Sequence, residues 1–371
     1  MKKNIVFFNF SDAGFFSHRS KYAKKLINDG FNVFLIAPIK THKKKLNDMG
    51  IKTINLQIKK RYDFNPLKIL KIIFFLNKTL KRLSPKVLNN VGIFPVILGT
   101  VSSFNLNYKI INSITGLGSV AISKSFKNSL LTFILKFIFF LFIRNTNIIV
   151  QNKTDKFFSE KLGLNKKKIF LIPGYGIDID IYKKSKQINK TPKVILHSRL
   201  LRVKGIYDYF IAARYLKKKN IKANFYLFGD FDDNNPDSIN INEIKKLNIK
   251  NYFRYMGQDN KIQFSLNKFD IACLPSYREG LPRSLLECMA SKMPIVTTNV
   301  PGNKDVVKNN FNGFLIKEKS PELLAKALRK LILNRNLRVK MGKNSLKKCK
   351  LYFSTTVIFK KLDKIFLNEK Y

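Results

Sequence analysis

The sequence predicts an α/β protein built as two facing Rossmann-like domains. Three observations lead there. Short apolar runs alternate with longer amphipathic stretches along the whole chain, a turn-rich polar segment interrupts the alternation near the middle, and 371 residues are long for one core but comfortable for two. In the first half the apolar runs Ile5–Phe10, Asn32–Ala37, Ile51–Leu56, Lys86–Val91, Lys109–Ile114, Asn147–Val150 and Phe170–Ile172 read as strands. Helical patterns lie between them, which implies a mostly parallel sheet with right-handed crossovers. The stretch P-G-Y-G-I-D-I-D-I-Y-K-K-S-K-Q-I-N-K-T-P after Ile172 is polar and lacks periodicity, so it is the expected interdomain connection. A second series follows: Lys193–His197, Asn224–Gly229, Tyr252–Met256, Ile271–Leu274, Ile295–Thr298 and Phe314–Ile316. Helical patterns at Ser320–Leu333, Leu337–Lys350 and Thr355–Lys370 close the chain. The domains are therefore expected at 1–185 and 186–354, with 355–371 as a terminal helix. No short-period repeat is visible, which excludes a solenoid.

The charge is extreme, with 71 Lys and Arg against 23 Asp and Glu and a formal net charge of +48. A Lys/Asn/Ile/Phe-rich composition explains part of it, and attraction to an anionic membrane surface is the alternative. No nucleic-acid partner is expected, because no helix-turn-helix, zinc-finger or RNA-recognition signature accompanies the charge. Cys273, Cys288 and Cys349 have no paired or zinc-type spacing, which fits reduced thiols in a cytoplasmic protein and no metal site. The start M-K-K-N-I-V-F-F-N-F is too short in its apolar run for a signal peptide and reads as the first strand. Leu130–Ile143 is apolar nearly all round yet short of a bilayer span and contains Lys136. In Leu67–Leu83, Lys68, Lys71, Lys78 and Arg82 fall near one helical stripe with isoleucine, leucine and phenylalanine opposite. That pattern suits a membrane-interface helix or a core-facing helix with a solvated lysine face. Basic runs at Lys43–Lys45, Lys59–Arg61 and Lys166–Lys168 all lie in the first half.

The segment from Ser276 to Gly313 carries the chemistry. Arg278–Leu281 follows the buried run Ile271–Leu274, and Pro282 suits a first helical turn, so a loop at a strand's carboxyl end feeds a helix whose N–H groups can meet a phosphate. Gly280 permits close backbone approach. Glu279 lies before this helix and Glu287 within it, so the two carboxylates can face different parts of an elongated ligand. Taken alone, both also read as helix-start charges. Arg199 and Lys204 lie in the loop after Val194–His197 and supply a planar fork and a point charge to a diphosphate. After the first strand, Ser11–Phe16 includes Gly14, which could let the backbone approach a phosphate or acceptor. His18 is either an acceptor-site residue or a helix-start histidine. Thr115-Gly116-Leu117-Gly118-Ser119 either lines the cleft opposite the donor or is a plain strand-to-helix turn.

Glu279-Gly280-x-Pro282…Glu287, then Pro294-Ile295-Val296 and Gly302, resembles the donor site of glycosyltransferase family 4, retaining enzymes of the GT-B fold. Arg199, Lys204-Gly205, Gly229, Gly257 and Gly176-Ile177-Asp178 extend the match over nearly the whole chain. The resemblance implies that Glu279 serves the donor-sugar side and Glu287 the nucleotide ribose. It implies Arg199 and Lys204 on the diphosphate, with Gly280, Leu281, Pro282, Gly229 and Gly257 lining the donor site. It also implies no divalent metal or other cofactor, a UDP-type sugar as substrate, and a final helix crossing back to the first domain. Many members carry a histidine beyond the fourth strand; here stands Asn89-Asn90-Val91-Gly92, so either an asparagine substitutes or the match fails at that point.

F-F-S-H-R-S and T-G-L-G-S look most like transferases that extend undecaprenyl-diphosphate-linked sugars in surface-polysaccharide or glycan assembly. The expected function is transfer of a hexose or N-acetylhexosamine to such an acceptor, by an enzyme peripheral on the inner face of the plasma membrane. Three alternatives stand beside it: the same chemistry on a soluble or glycerolipid acceptor, a GT-B nucleotide-sugar epimerase, and a non-catalytic membrane-binding protein.

Overall fold

A computed structural model describes residues 2–58, 65–116, 139–182, 189–232, 235–259 and 261–367, without the side chains of 139 and 140. The chain divides into two compact units, one of Met1–Tyr175 with Phe359–Tyr371 and one of Gly176–Ile358. The first contains strands β1 Asn4–Asn9, β2 Asn32–Ala37, β3 Lys52–Asn55, β4 Val87–Val91, β5 Lys109–Ile114, β6 Asn147–Val150 and β7 Ile169–Leu171. Between them run helices α1 Asp12–Asn28, α2 Lys43–Asp48, α3 Pro66–Leu83, α4 Ile93–Ser102 and α5 Lys153–Lys161. The second contains β8 Lys193–His197, β9 Asn224–Phe228, β10 Phe253–Tyr255, β11 Ile271–Leu274, β12 Ile295–Thr298 and β13 Gly313–Ile316. Its helices are α6 Ile206–Lys218, α7 Ile241–Lys246, α8 Arg283–Ala290, α9 Asn303–Val306, α10 Pro321–Leu333 and α11 Arg335–Tyr352. Helix α12, Thr355–Phe366, follows them.

Both sheets are parallel, and the first six strands of each series share one order, with β7 added at the edge of the first sheet. The first runs β3-β2-β1-β4-β5-β6-β7 and the second β10-β9-β8-β11-β12-β13. In each the order reverses beside the first strand of the series, between β1 and β4 and between β8 and β11. In open α/β sheets, ligands bind at the carboxyl ends of the strands flanking such a reversal. The central strands β1, β4, β11 and β12 are buried almost throughout, as helix-covered parallel strands must be.

The unit boundary falls at Tyr175/Gly176, ten residues before the expected domain edge at 185. The cause is a pairing between distant segments: Ile177 N–H donates to Phe353 O (2.7 Å), and Thr355 N–H donates to Ile177 O (3.0 Å). Gly176 faces the Thr355 backbone, where a Cβ would come within 2.8 Å, so only glycine fits this contact at its φ of +78°. Ile177 and Tyr182 then join the second core. The terminal helix passes to the first unit from Phe359 onward. Phe366 stacks on Phe7 (5.9 Å) and meets Tyr22 edge-on (5.2 Å), while Asp363 accepts from Tyr22 and Lys25 (3.1 and 2.6 Å).

Helix α3 departs from its expected pattern. Leu76 and Leu80 are buried, with Ile69, Ile72, Ile73 and Leu83 against the same core, but Leu67, Leu70 and Phe74 stand exposed among the lysines rather than opposite them. A chain rich in both residue types placed an apolar stripe on each face, and one face can meet the core. Of Leu130–Ile143, residues before 139 lie outside the described ones; Phe139–Ile143 is a π-helical turn with Ile143 buried and Leu141 exposed. The basic run Lys59–Arg61 also lies outside the described residues. Among the described residues, no helix is long and apolar enough to cross a membrane. All three cysteines are buried thiols.

Candidate active site

The loops leaving β8 and β11 meet at the reversal point of the second sheet. After β8 the chain makes a short 3₁₀ turn, Arg202–Lys204, closed by Gly205 at φ +70°. A Cβ at Gly205 would lie 2.1 Å from Pro275 O, so glycine alone lets this turn rest against the loop after β11. Tyr277 N–H donates to Val203 O (2.8 Å) and ties the two loops together. In this setting Lys204 Nζ lies 2.6 Å from Glu279 Oε1, with the side chains 16% and 9% exposed.

The Glu279 loop is held from below. Thr298 Oγ1 donates to Ser276 O, while Asn303 Nδ2 donates to Ser276 Oγ (3.1 Å) and Thr298 Oγ1 (2.9 Å). Gly302 sits at φ +80° under the Glu279 and Gly280 carbonyls, where a Cβ would meet Gly280 O at 2.6 Å. Leu281 packs against the second core. Pro282 is the residue preceding α8 rather than its first helical residue. Its ψ of 97° is extended, and its carbonyl accepts from Leu285 N–H (3.1 Å), so the helix begins one residue later than expected.

Glu287 has a different set of neighbours. Its Oε1 accepts from Arg283 Nε (2.9 Å), one turn earlier on α8, and its Oε2 lies 4.0 Å from His197 Nε2. The same ring nitrogen lies 3.2 Å from Ser284 O and 3.5 Å from Cys288 Sγ. Burial pushes the His197 imidazole below its ordinary pKa of 6.5, against the opposing pull of Glu287 and Ser284 O. Arg199 Nη1 pairs with Asp232 Oδ2 at 2.6 Å, with the arginine side chain 56% exposed. Gly229 and Gly257 shape the neighbouring strand ends. A Cβ at Gly229 would lie 1.9 Å from Ser198 O, its N–H donates to Gly257 O (3.0 Å), and Gly257 has φ +74°.

In the first unit, Ser11 caps α1 by accepting from Gly14 N–H (3.0 Å). Gly14 therefore lies in the first helical turn, with its amide already engaged, and not in an open glycine loop. Asp12, unnoticed in the sequence, accepts from the Lys40, Thr41 and His42 amides (2.9, 2.8 and 3.0 Å) and fixes the loop after β2. His18 is exposed on α1. Gly116 needs its φ of +133°, and Gly118 lies outside the described residues. Asn89 and Asn90 are fully buried in β4. Asn89 donates to Ile111 O and Ser113 Oγ (3.0 and 2.9 Å), and Asn90 donates to Asn112 Oδ1 (2.9 Å). Both amides lie in the interior of the unit, and the buried Asn90 Oδ1 has no hydrogen-bond partner there among the described residues.

Comparison with known proteins meets the same two units. Residues 178–348 match the family model "Glycosyl transferases group 1", and residues 4–152 match "Glycosyl transferase 4-like". An uncharacterized glycosyltransferase of Methanocaldococcus jannaschii is 30% identical over 276 residues, 70% of this chain and 68% of its own. The chain belongs to the family 4-like, group 1 glycosyltransferases. The N,N'-diacetylbacillosaminyl-diphospho-undecaprenol alpha-1,3-N-acetylgalactosaminyltransferase of Campylobacter jejuni is 28% identical to this glycosyltransferase over 359 residues, 92% of each chain. An Anabaena protein crystallised with UDP and glucose shares the GT-B fold at a TM-score of 0.77, with 16% identity and 98% of each chain covered.

Of the residues singled out in the sequence, the glycosyltransferase brings Lys204 and Glu279 into direct contact. Arg199 and Glu287 are each engaged by a neighbour that sequence reasoning missed. Asp232 carried a usable signal, since it follows Y-L-F-G-D two residues after Asp230, in the loop after β9 and beside β8 in the sheet order. His197 ends the apolar run Val194–His197 and was not marked as a site residue, and Arg283 precedes Glu287 by the four-residue spacing that pairs charges on a helix.

Proposed function

We propose that this glycosyltransferase moves a hexose or N-acetylhexosamine, with retention of anomeric configuration, from a UDP-linked sugar to a polyprenyl-diphosphate-linked saccharide. The observation that carries the reading is the meeting of Lys204 and Glu279 across the β8 and β11 loops, with Arg199 and Glu287 on the same two segments. Glycosyl transfer breaks the bond between the anomeric carbon and the diphosphate oxygen, and negative charge builds on the leaving group. Lys204 and Arg199 would hold that charge. Fixed cations placed for a developing charge contribute more than cations that must be recruited. Glu279 would orient the sugar hydroxyls and Glu287 the ribose. The acceptor hydroxyl would bond to the anomeric carbon on the face the diphosphate leaves, its proton passing to the departing phosphate oxygen. This route asks for no enzymatic nucleophile and no metal or other cofactor.

The acceptor class draws support from the Campylobacter relative, which acts on a diphospho-undecaprenol substrate. The net charge of +48 suits a peripheral enzyme on the anionic inner leaflet, reached from the cytoplasm. The UDP preference draws support from the Anabaena protein's bound UDP. A panel of nucleotide sugars screened by thermal shift identifies the donor, because a bound ligand raises the melting point by mass action. Incubation of that donor with a polyprenyl-diphosphate saccharide should then release one UDP per sugar transferred and give an α-linked product by NMR. UDP release with no dependence on a lipid-linked acceptor would refute the acceptor class.

A further inference from the structure

Helix α3 presents one continuous stripe to solvent, spaced by three and four residues: Leu67, Leu70, Phe74, Lys78 and Lys81. Its first half is apolar, with Leu67 69%, Leu70 62% and Phe74 73% exposed. Its second half is basic, and exposed Arg82 adds to it. Lys71 flanks the apolar half, where a long side chain can lie along apolar surface and keep its ammonium at a polar boundary. The opposite face is the one that meets the core, through Leu76, Thr79 and Leu80. The stripe is therefore surplus to folding. Leaving three large apolar side chains in water opposes stability, and singly scattered exposure does not explain their alignment.

We infer that α3 is a two-part membrane-docking element. Leu67, Leu70 and Phe74 enter the acyl region of an anionic bilayer, while Lys78, Lys81 and Arg82 rest on its headgroups. The inference rests on the lipid-linked acceptor proposed above and specifies which surface brings the enzyme to it. Charge selects the occupant: α3 contains no acidic residue, so a second copy docking through this helix would set lysines against lysines or against leucines, with no counter-charge. An anionic bilayer supplies acyl chains and negative headgroups side by side, in the order the helix presents them.

The chain contains no tryptophan, so a single substitution installs a sole fluorescent reporter. With vesicles of phosphatidylcholine and phosphatidylglycerol, Phe74→Trp emission should shift to the blue and be quenched by lipids brominated in the acyl chain. Lys81→Trp should bind the same vesicles and escape that quenching. Replacing Lys78, Lys81 and Arg82 by Ala should weaken vesicle binding about a hundredfold at low salt, on the basis of about fivefold per surface cation. All three sites are exposed, so the fold should survive. Vesicle-bound protein with unchanged Phe74→Trp emission would overturn the inference by assigning docking to another surface. A blue shift that follows protein concentration without vesicles would overturn it in favour of a second copy. UDP binding by calorimetry on the same variants separates the two readings, since loss of UDP binding with intact docking indicts only the donor site.

Discussion

Lys204 Nζ donates to Glu279 Oε1 at 2.6 Å, joining the loops that leave the two central strands of the second sheet. Both groups are largely withdrawn from water, so each depends on the other for its partner. The contact fixes the two loops against each other.

Lys204→Ala should lower the transfer rate about 100-fold or more, the scale of one lost transition-state electrostatic contact. It should also lower the stability of the second unit by about 1–3 kcal/mol, because the Glu279 carboxylate loses its hydrogen-bond partner. Arg199→Ala should cost as much activity but less than about 1 kcal/mol of stability, since its pair with Asp232 is largely exposed. Steady-state assays beside denaturant melts check both. Near-normal turnover in either folded variant would remove that residue from the donor site.

Glu287→Gln and Glu279→Gln should part company in calorimetric titration with UDP. If Glu287 holds the ribose, a charge-assisted hydrogen bond becomes a neutral one worth about half as much, and UDP affinity falls. Glu279→Gln should leave UDP affinity nearly unchanged while transfer falls, the pattern of an interaction made mainly in the transition state. Equal losses of affinity would contradict the division of roles.

Gly302→Ala tests the support beneath Glu279. The added Cβ would sit 2.6 Å from Gly280 O at a φ that disfavours side chains, so the loop must move. Donor turnover should fall at least about tenfold by misplacement alone. Full activity with an unchanged melting point would show that the loop position does not matter.

Acid should weaken the second unit through His197. Its folded pKa is depressed, so below the ordinary value of 6.5 the unfolded chain binds a proton that the folded chain refuses. This contribution is present above pH 6.5 and is lost as pH falls below it. His197→Gln should flatten that part of the stability–pH curve, measured by denaturant melts across pH 5 to 7.5 (a range of about one to two units around 6.5). An unchanged slope would show that the ring does not titrate differently on folding.

Much of this was legible in the primary structure because it is local. Asn32–Ala37, Lys109–Ile114, Asn147–Val150, Lys193–His197, Ile271–Leu274 and Ile295–Thr298 are strands at the residues their apolar runs mark. Parallel strands buried between helices read as short contiguous apolar runs, and their length and flanking turn residues distinguish them from buried helices. The loop-to-helix step around Glu279–Pro282 was legible for a similar reason, since glycine and proline restrict the backbone wherever they stand.

Partners distant in the chain were not legible. Asp232 meets Arg199 across 33 positions and Lys204 meets Glu279 across 75, and only the order β10-β9-β8-β11 brings those loops together. The unit boundary at Tyr175/Gly176 depends likewise on Ile177 pairing with Phe353 and Thr355. The burial of Asn89 and Asn90 depends on sheet neighbours β1 and β5. Helix α3 marks the division most clearly. Its residue order alone determined a helix with apolar side chains on two faces, but burial is a property of neighbours, and the packed core decided which face would be left to the solvent.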